Sequence, residues 1–415
     1  MATPLRCSMQ STQNTAAWKS SESFFAIFWI FLKLGLTSFG GPIAHLGYFR
    51  DEFVVRRRWL SEESYGDLVS LCQFMPGPAS SQVGFSLGIL RGNGLGGGVA
   101  AWLGFTLPSA AILFAFAIGA ASFTGSLAEG LLHGLKLVAV AVVAQAIWGM
   151  ARSLTPDRQR AAIALVAIMI VVFFGGSIGQ MAAIALGALA GVWLCRGEHT
   201  AAIEGRLTLP ITRRAGIAAF VLFTLLLLGI PLLVTLTGSK QLSLFESFYR
   251  SGSLVFGGGH VVLPLLRAEM VVPGWVANES FLAGYGLAQA VPGPLFAFAA
   301  YLGADASLAT DPVSGSAIAL IAVFLPGLLL VYGMLPFWDQ FRSRLTAQYA
   351  MRGANAAVVG ILGAALYDPV WTSAVHDARD FIVVLTGFLL LTVWKTAPWV
   401  VVTLLATAGI LLKML

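Results

Sequence analysis

The feature that most constrains this chain is a proline-glycine-proline triplet that occurs twice, each time inside a long apolar run. Pro76-Gly77-Pro78 lies within 64–90, and Pro292-Gly293-Pro294 within 279–303. Proline removes a helical N–H and clashes with the preceding turn, so neither run can be one unbroken helix. The triplets belong to a longer correspondence. Gln73 matches Gln289, and Glu63-Ser64 matches Glu279-Ser280, at the same offset of 216. Phe39-Gly40-Gly41 recurs as Phe256-Gly257-Gly258, Lys33 and Gly35 as Arg250 and Gly252, and Arg50 and Glu52 as Arg267 and Glu269, all at 217. Pro108 recurs as Pro326 at 218. Such near-constant spacing over many residue types marks an internal repeat.

Composition says where the repeat lives. Of 415 residues, 58% are hydrophobic and 11% charged, against roughly 45–50% and about 25% in a soluble protein. Mean hydropathy is +0.84. Three scattered cysteines (Cys7, Cys72, Cys195) exclude a disulfide scaffold. The net charge of +6 does not argue for nucleic acid as a partner, because the basic residues sit between apolar runs rather than on one face. The class is an all-α polytopic membrane protein, with the lipid bilayer as its surroundings. Residues 1–22 are polar and lack the apolar core of a secretory signal. They read as a disordered tail, ahead of the weaker transit-peptide reading.

Thirteen apolar runs are long enough to be counted as spans: 24–48, 64–90, 97–121, 129–150, 160–176, 178–195, 214–236, 243–266, 279–303, 314–336, 352–369, 380–396 and 397–414. The expected plan is a first membrane repeat over 23–197, a linker loop and connecting span over 198–236, and a second membrane repeat over 237–415. Each repeat has six spans. A shift of seven crossings reverses direction, so the repeats are expected to be inverted, with broken helices near the midplane. An odd count puts the termini on opposite sides. With the N-terminus cytoplasmic, 15 of 25 Lys and Arg fall inside, 7 outside and 3 within spans. The discordant loop is 49–63, with four of the seven outside charges; either it is an exception or spans one and two do not both cross.

The breaks predict chemistry. A half-helix resuming after Pro76-Gly77-Pro78 presents free N–H groups and the positive end of its dipole, which suits an anion. Its first turn carries Ser80, Ser81 and Gln82, all hydrogen-bond donors. The alternative is a kink relieved by neighbouring helices. After Pro292-Gly293-Pro294 come Leu295, Phe296, Ala297 and Phe298, so the expected site is asymmetric, with side-chain donors mainly from the first repeat. Phe39-Gly40-Gly41-Pro42 is a second interruption, repeated at Phe256-Gly257-Gly258 with His260 behind it; tight helix crossing is an equal reading.

These residues resemble a known family. Ser38-Phe39-Gly40-Gly41-Pro42, Gln73-Phe74-Met75-Pro76-Gly77-Pro78, Phe256-Gly257-Gly258-Gly259-His260 and Gln289-Ala290-Val291-Pro292-Gly293-Pro294 are similar to motifs of the chromate ion transporters in their long, two-repeat form. The resemblance covers essentially 24–415. It implies a secondary transporter exporting chromate, a tetrahedral oxyanion, from the cytoplasm across the inner membrane and conferring resistance. Another inorganic or organic anion such as sulfate is the alternative cargo, and a membrane-embedded enzyme a minor one. No cofactor, catalytic residue or metal site is expected, and the sequence leaves homo-oligomerisation open. A dianion leaving a negative interior moves downhill, so membrane potential, proton exchange or both could drive it without ATP.

The expected substrate contacts are therefore Lys33, Ser38, Gly40, Gly41, Gln73, Pro76, Gly77, Pro78, Ser80, Ser81, Gln82, Arg250, Gly257, Gly258, His260, Gln289, Pro292, Gly293 and Pro294. Lys33 and Arg250 are cations within apolar runs, where a charge costs roughly 2.5–3.5 kcal/mol and is usually turned inward and paired; snorkelling is the alternative. Gln73 and Gln289 serve interhelical bonding equally well. Arg50, Glu52, Arg267 and Glu269 are candidate gates, although i, i+2 spacing does not place them face to face on a helix. Glu129, His133 and Lys136 read as a polar cluster at a span end. Gly187 and Gly191 read as a helix-packing pair.

Overall fold

A computed structural model of the chain describes residues 22–414 except 40, 93, 121–124, 175, 197–210, 257–260, 308–309, 339 and 341–343. The expected tail before Glu22, most of the 198–210 linker, and Gly40, Gly257, Gly258 and His260 lie outside the described residues. Within them every regular element is helical.

Two short helices open the chain, α1 (Phe24–Thr37) and α2 (Gly41–Arg50), the latter followed by a wide helical turn at Asp51–Arg56. Two more follow, α3 (Glu62–Phe74) and α4 (Ala79–Arg91). Then come five longer helices: α5 (Leu95–Ala120), α6 (Ser126–Leu154), α7 (Arg158–Phe174), α8 (Gly176–Leu194) and α9 (Arg213–Thr237). The second half has the same rhythm. Its short helices are α10 (Lys240–Ser253), α11 (Val262–Met270), α12 (Asn278–Ala288) and α13 (Phe298–Ala306), and its long ones α14 (Pro312–Met334), α15 (Leu345–Ala365), α16 (Ala378–Thr392) and α17 (Pro398–Met414). Side-chain caps start several of them. Ser23 accepts from the Ala26 N–H, Ser61 from Ser64 and Ser239 from Leu242, while Asp311 and Asp377 cap α14 and α16. Five segments are long and apolar enough to cross a membrane: Leu95–Gly119, Glu129–Leu154, Arg213–Thr237, Pro312–Phe337 and Leu345–Trp371.

Four of the thirteen runs are each broken into two short helices rather than one long one. Phe31 in the middle of α1 meets Phe49 at the end of α2 (ring centroids 5.7 Å) and stacks on Phe53 at 5.1 Å. Phe53 stacks on Trp59, and the Arg91 guanidinium at the end of α4 lies 5.0 Å from the Trp59 ring. The Glu22 N–H in turn donates to the Arg91 carbonyl at 2.9 Å. The start of α1, the loop after α2 and the end of α4 therefore share one end of the molecule. Runs 24–48 and 64–90 are hairpins that enter and return. In the second half, Ser280 at the start of α12 bonds Tyr301 and Asp305 of α13, each at 2.9 Å, and Arg250 of α10 pairs with Glu269 of α11. Runs 243–266 and 279–303 are hairpins too. The other nine runs correspond to α5–α9 and α14–α17. The sequence misleads here because a buried hairpin and a crossing helix are equally apolar. Backbone freed at the hairpin tip is tolerated only where protein or a wet cavity covers it.

The discordant charges follow. Arg50, Arg56, Arg57 and Arg58 join Arg91 and Glu22 at one end, which also holds Arg158, Arg213, Arg344 and Lys395. Arg267 shifts to the other end, with Lys240, Arg379 and Lys413. These are the Glu22 end and the Lys413 end.

The halves are interlocked. α1 lies along α5 and α10 along α14, yet the last two helices of each half wrap the other half: α7 and α8 pack on α15, and α16 and α17 pack on α6. Both contacts are glycine-lined. A Cβ on Gly353 would lie 2.0 Å from the Gly187 carbonyl oxygen and 2.6 Å from Gly191 Cα. One on Gly409 would lie 2.4 Å from Gly134 Cα. Backbones this close gain dispersion contact where no hydrophobic force drives helices together.

Candidate functional site

The hairpin tips converge from opposite ends and meet in the interior. Helix α3 stops at Met75, whose extended backbone (ψ 149°) suits the residue before a proline. Gly77 follows at φ +123°, open to glycine and strained for any L side chain. Its N–H donates to the carbonyl of Val255, in the break after α10, at 2.7 Å. The equivalent Gly293, at φ +100°, donates to Ser38, in the break after α1, at 2.9 Å. Ser38 and Val255 are themselves repeat equivalents, so each triplet bonds the opened helix of the other half. The long helices complete the crossing. Gly77 packs against Gly327 of α14 and Gly293 against Ser109 of α5.

The first half supplies the polar groups. Ser38, His45, Ser80, Ser81, Gln82, Thr106 and Ser109 are all buried. Gln82 Nε2 donates to the Pro76 and Gly327 carbonyls, both at 2.9 Å, fastening the first triplet to α14. His45 Nδ1 lies 3.4 Å from Ser80 Oγ. Several buried atoms here have no hydrogen-bond partner among the described residues: Ser38 Oγ, Ser81 Oγ, Gln82 Oε1, His45 Nε2, Thr106 Oγ1 and Gln289 Nε2. A buried polar group without a partner costs about 1–3 kcal/mol. So many around one pair of tips fits a polar solute seated among them.

The second half is drier. Ser251 and Ser253 return their hydroxyls to the Ser247 and Tyr249 carbonyls. The segment after Pro292-Gly293-Pro294 packs Phe296 against Phe324, and Phe298 against Phe281 and Tyr285.

Other expected contacts stand elsewhere. Lys33 is exposed on α1, and Gln73 is exposed on α3. Gly41 is in place at the turn after α1, at φ +77°. Arg250 binds both carboxylate oxygens of buried Glu269 and takes Glu246 at 2.6 Å, lining a cavity of about 220 Å³ with Tyr249 and Pro231. Of the candidate gates, Arg50 pairs with Glu62 at 2.6 Å, and Glu52 with Arg56 at 2.5 Å and Arg57 at 2.7 Å. Arg267 reaches Asn278 at 3.5 Å. As the spacing implies, neither i, i+2 pair bonds internally. Sequence reasoning passed over His45; the signal was a histidine at the fourth position after the Gly40-Gly41 break, facing the α4 serines. Among the described residues, no group of three or more His, Cys, Asp or Glu could hold a metal.

Interlocked helical halves, hairpins broken in the interior and a buried polar centre between the tips define a multi-pass helical membrane protein. Comparison with known proteins says which. The chromate transporter family model matches the chain twice, over residues 25–192 and 242–410. The chain belongs to that family. It is 28% identical to the "Chromate transport protein" of Pseudomonas aeruginosa, over 97% of this chain and 95% of that protein. It is 27% identical to the "Probable chromate transport protein" of Synechococcus elongatus, over 92% and 93%. It is 24% identical to the "Chromate transport protein" of Cupriavidus metallidurans, over 92% and 91%. No solved structure matches the chain.

Proposed function

We propose that this chain is a secondary transporter that exports chromate from the cytoplasm, holding the anion at the crossed hairpin tips. The observation that carries the reading is the cluster of unpartnered buried atoms around the first tip, Ser38 Oγ and Ser81 Oγ above all. Hydroxyls and the N–H groups of the first turn of α4 would receive the four oxygens, with the dipole of α4 in place of a fixed cation. The two halves act as inverted repeats about this centre, split near 197–237, and the tips rearrange between openings to either side. The Glu22 end, which carries the denser Lys and Arg, faces the cytoplasm by the positive-inside rule. The exposed ion pairs of Arg50 and Glu52 stand at that mouth, and Arg267 and Glu269 at the opposite one.

Export needs no ATP. Each charge moving outward down the potential is worth about 2.3 kcal/mol per 100 mV, so a dianion gains about 4.6 kcal/mol, enough for a gradient of order a thousandfold. Chromate and sulfate share charge and shape, and a site of helix ends and hydroxyls separates them weakly, so sulfate is the second reading of the cargo. The test is radiolabelled chromate flux through purified protein in liposomes under a clamped potential, with and without excess sulfate. Flux that follows the potential and is blocked by sulfate is expected. Absence of chromate flux in folded protein overturns the cargo.

A further inference from the structure

At the Lys413 end a cavity of about 510 Å³ opens between the halves. Three elements bring charge to it besides α6: α12, the start of α16 and the end of α17. In its wall His133 of α6 meets Asp380 of α16, Nε2 to Oδ1, at 2.7 Å. The Asp380 side chain is 7% exposed, and its second oxygen accepts the His376 backbone N–H at 2.9 Å. The His376 ring lies nearly parallel to that of His133, centroids 5.9 Å apart at 16°.

We propose that His133 and Asp380 form a proton-binding site that latches the two halves together at the Lys413 end, so that transport responds to pH on that side. The argument starts from the partners. α6 belongs to the first half and α16 to the second, so this bond crosses the seam between them. Imidazole is the one side chain whose ordinary charge change falls near neutral pH. With the proton on, the hydrogen bond to the carboxylate gains the attraction of an ion pair. Besides Asp380, the Asp377 carboxylate lies within electrostatic reach of His133. The remaining charges are accounted for from every neighbour. Glu129 of α6 pairs with Lys413 of α17 at 3.1 Å, and Asp377 accepts the Arg379 and Asp380 N–H groups. Lys136 on α6, Glu279 on α12 and the Arg379 side chain complete the cavity wall. The segment Leu366–Trp371, also packed on α6, brings Asp368 on the side of Arg267.

The repeat supplies an internal control. The position 219 residues after His133 is Arg352, and the one 220 before Asp380 is Arg160, while Asp157 and Asp377 correspond. At the corresponding positions of the other half the residues are arginines, which stay charged at every accessible pH, so the repeat does not carry a second histidine–aspartate pair among the described residues.

The experiment has two arms. Chromate flux is measured in oriented proteoliposomes with pH varied on one face at a time, from about 5.5 to about 8.5 around the ordinary histidine range. This arm rests on the transport reading above. The expected result is a several-fold change with pH at the Lys413 face, little at the other, and a flat profile in His133→Gln. The second arm needs no substrate: thermal unfolding of purified protein against pH, in wild type, His133→Gln and Asp380→Asn. The bond between the halves is expected to make the wild-type midpoint depend on pH, and the variants are expected to lose that slope. A pH-dependent midpoint without chromate flux keeps the latch and discards the cargo. Variants that keep the wild-type unfolding slope overturn the latch.

Discussion

The N–H of Gly77 donates to the carbonyl of Val255 at 2.7 Å, across 178 residues of sequence. With its repeat partner, Gly293 to Ser38, it makes the broken backbone of each half the hydrogen-bonding complement of the other. Opening a helix inside a membrane protein leaves bare donors and acceptors, and here two sets of breaks satisfy each other.

Gly77→Ala is expected to be more damaging than Gly293→Ala, although the residues correspond. Both positive φ values strain a side chain, by about 1–3 kcal/mol. A Cβ at 77 also meets Gly327 Cα at 2.8 Å, rigid backbone, whereas one at 293 meets Ser109 Oγ at 2.8 Å, the end of a side chain that can turn away. Thermal unfolding midpoints of the two variants in detergent decide it; equal losses contradict the packing argument.

Gln82 and Ser81, neighbours on α4, are expected to separate stability from binding. Gln82→Leu removes two buried hydrogen bonds to carbonyls and lowers stability by roughly 2 kcal/mol. Ser81→Ala removes a hydroxyl that bonds nothing among the described residues, so the fold is unaffected or gains slightly. Its half-saturating chromate concentration is expected to rise several-fold in vesicle uptake. An unchanged value removes Ser81 from the site.

Arg250→Gln leaves the Glu269 carboxylate buried without its bidentate partner. The expected loss is about 3 kcal/mol, the low end for a broken buried pair, because the guanidinium is 35% exposed. Arg250→Gln with Glu269→Gln is expected to recover folding. Transport restored in the double variant makes the pair a brace of the α10–α11 hairpin, while folded protein without transport returns Arg250 to the substrate path.

Cysteines placed singly at Arg57, Lys395, Lys240 and Lys413, in a chain freed of Cys7, Cys72 and Cys195, test the hairpins. An impermeant thiol reagent is expected to label positions 57 and 395 from one face and 240 and 413 from the other. Labelling of 57 together with 240 would restore thirteen crossings.

The repeat was legible because its punctuation is proline and glycine, which act through their own backbone and leave the same mark wherever they stand. The membrane class was legible from charge scarcity, and nine of the apolar runs each correspond to one helix, five of them long and apolar enough to cross a membrane. The hairpins were not legible from hydropathy, since depth and direction leave no trace in an apolar run. Their one signal was the four arginines of 49–63 standing against the charge rule. The contacts of Lys33 and Arg250 were illegible for another reason. Position in a run fixes depth but not which face of the helix a side chain leaves from, and Arg250 finds Glu269 nineteen residues away, across a turn. That Ser80, Ser81 and Gln82 lie buried beside the first break was readable because they follow it directly.

The exchange of terminal helices has a consequence for how the molecule is made. α6 leaves the ribosome well before its partner α17, which lies far downstream in the sequence. Roughly 240 residues separate them, which at ~5–20 residues per second is a wait of tens of seconds. Through that interval the glycine face of α6 at Gly130 and Gly134 stands open to lipid or to an insertion factor. The first half cannot finish before the second exists, so a nascent chain stalled before α17 leaves α6 uncovered, and α17 closes that face when it arrives.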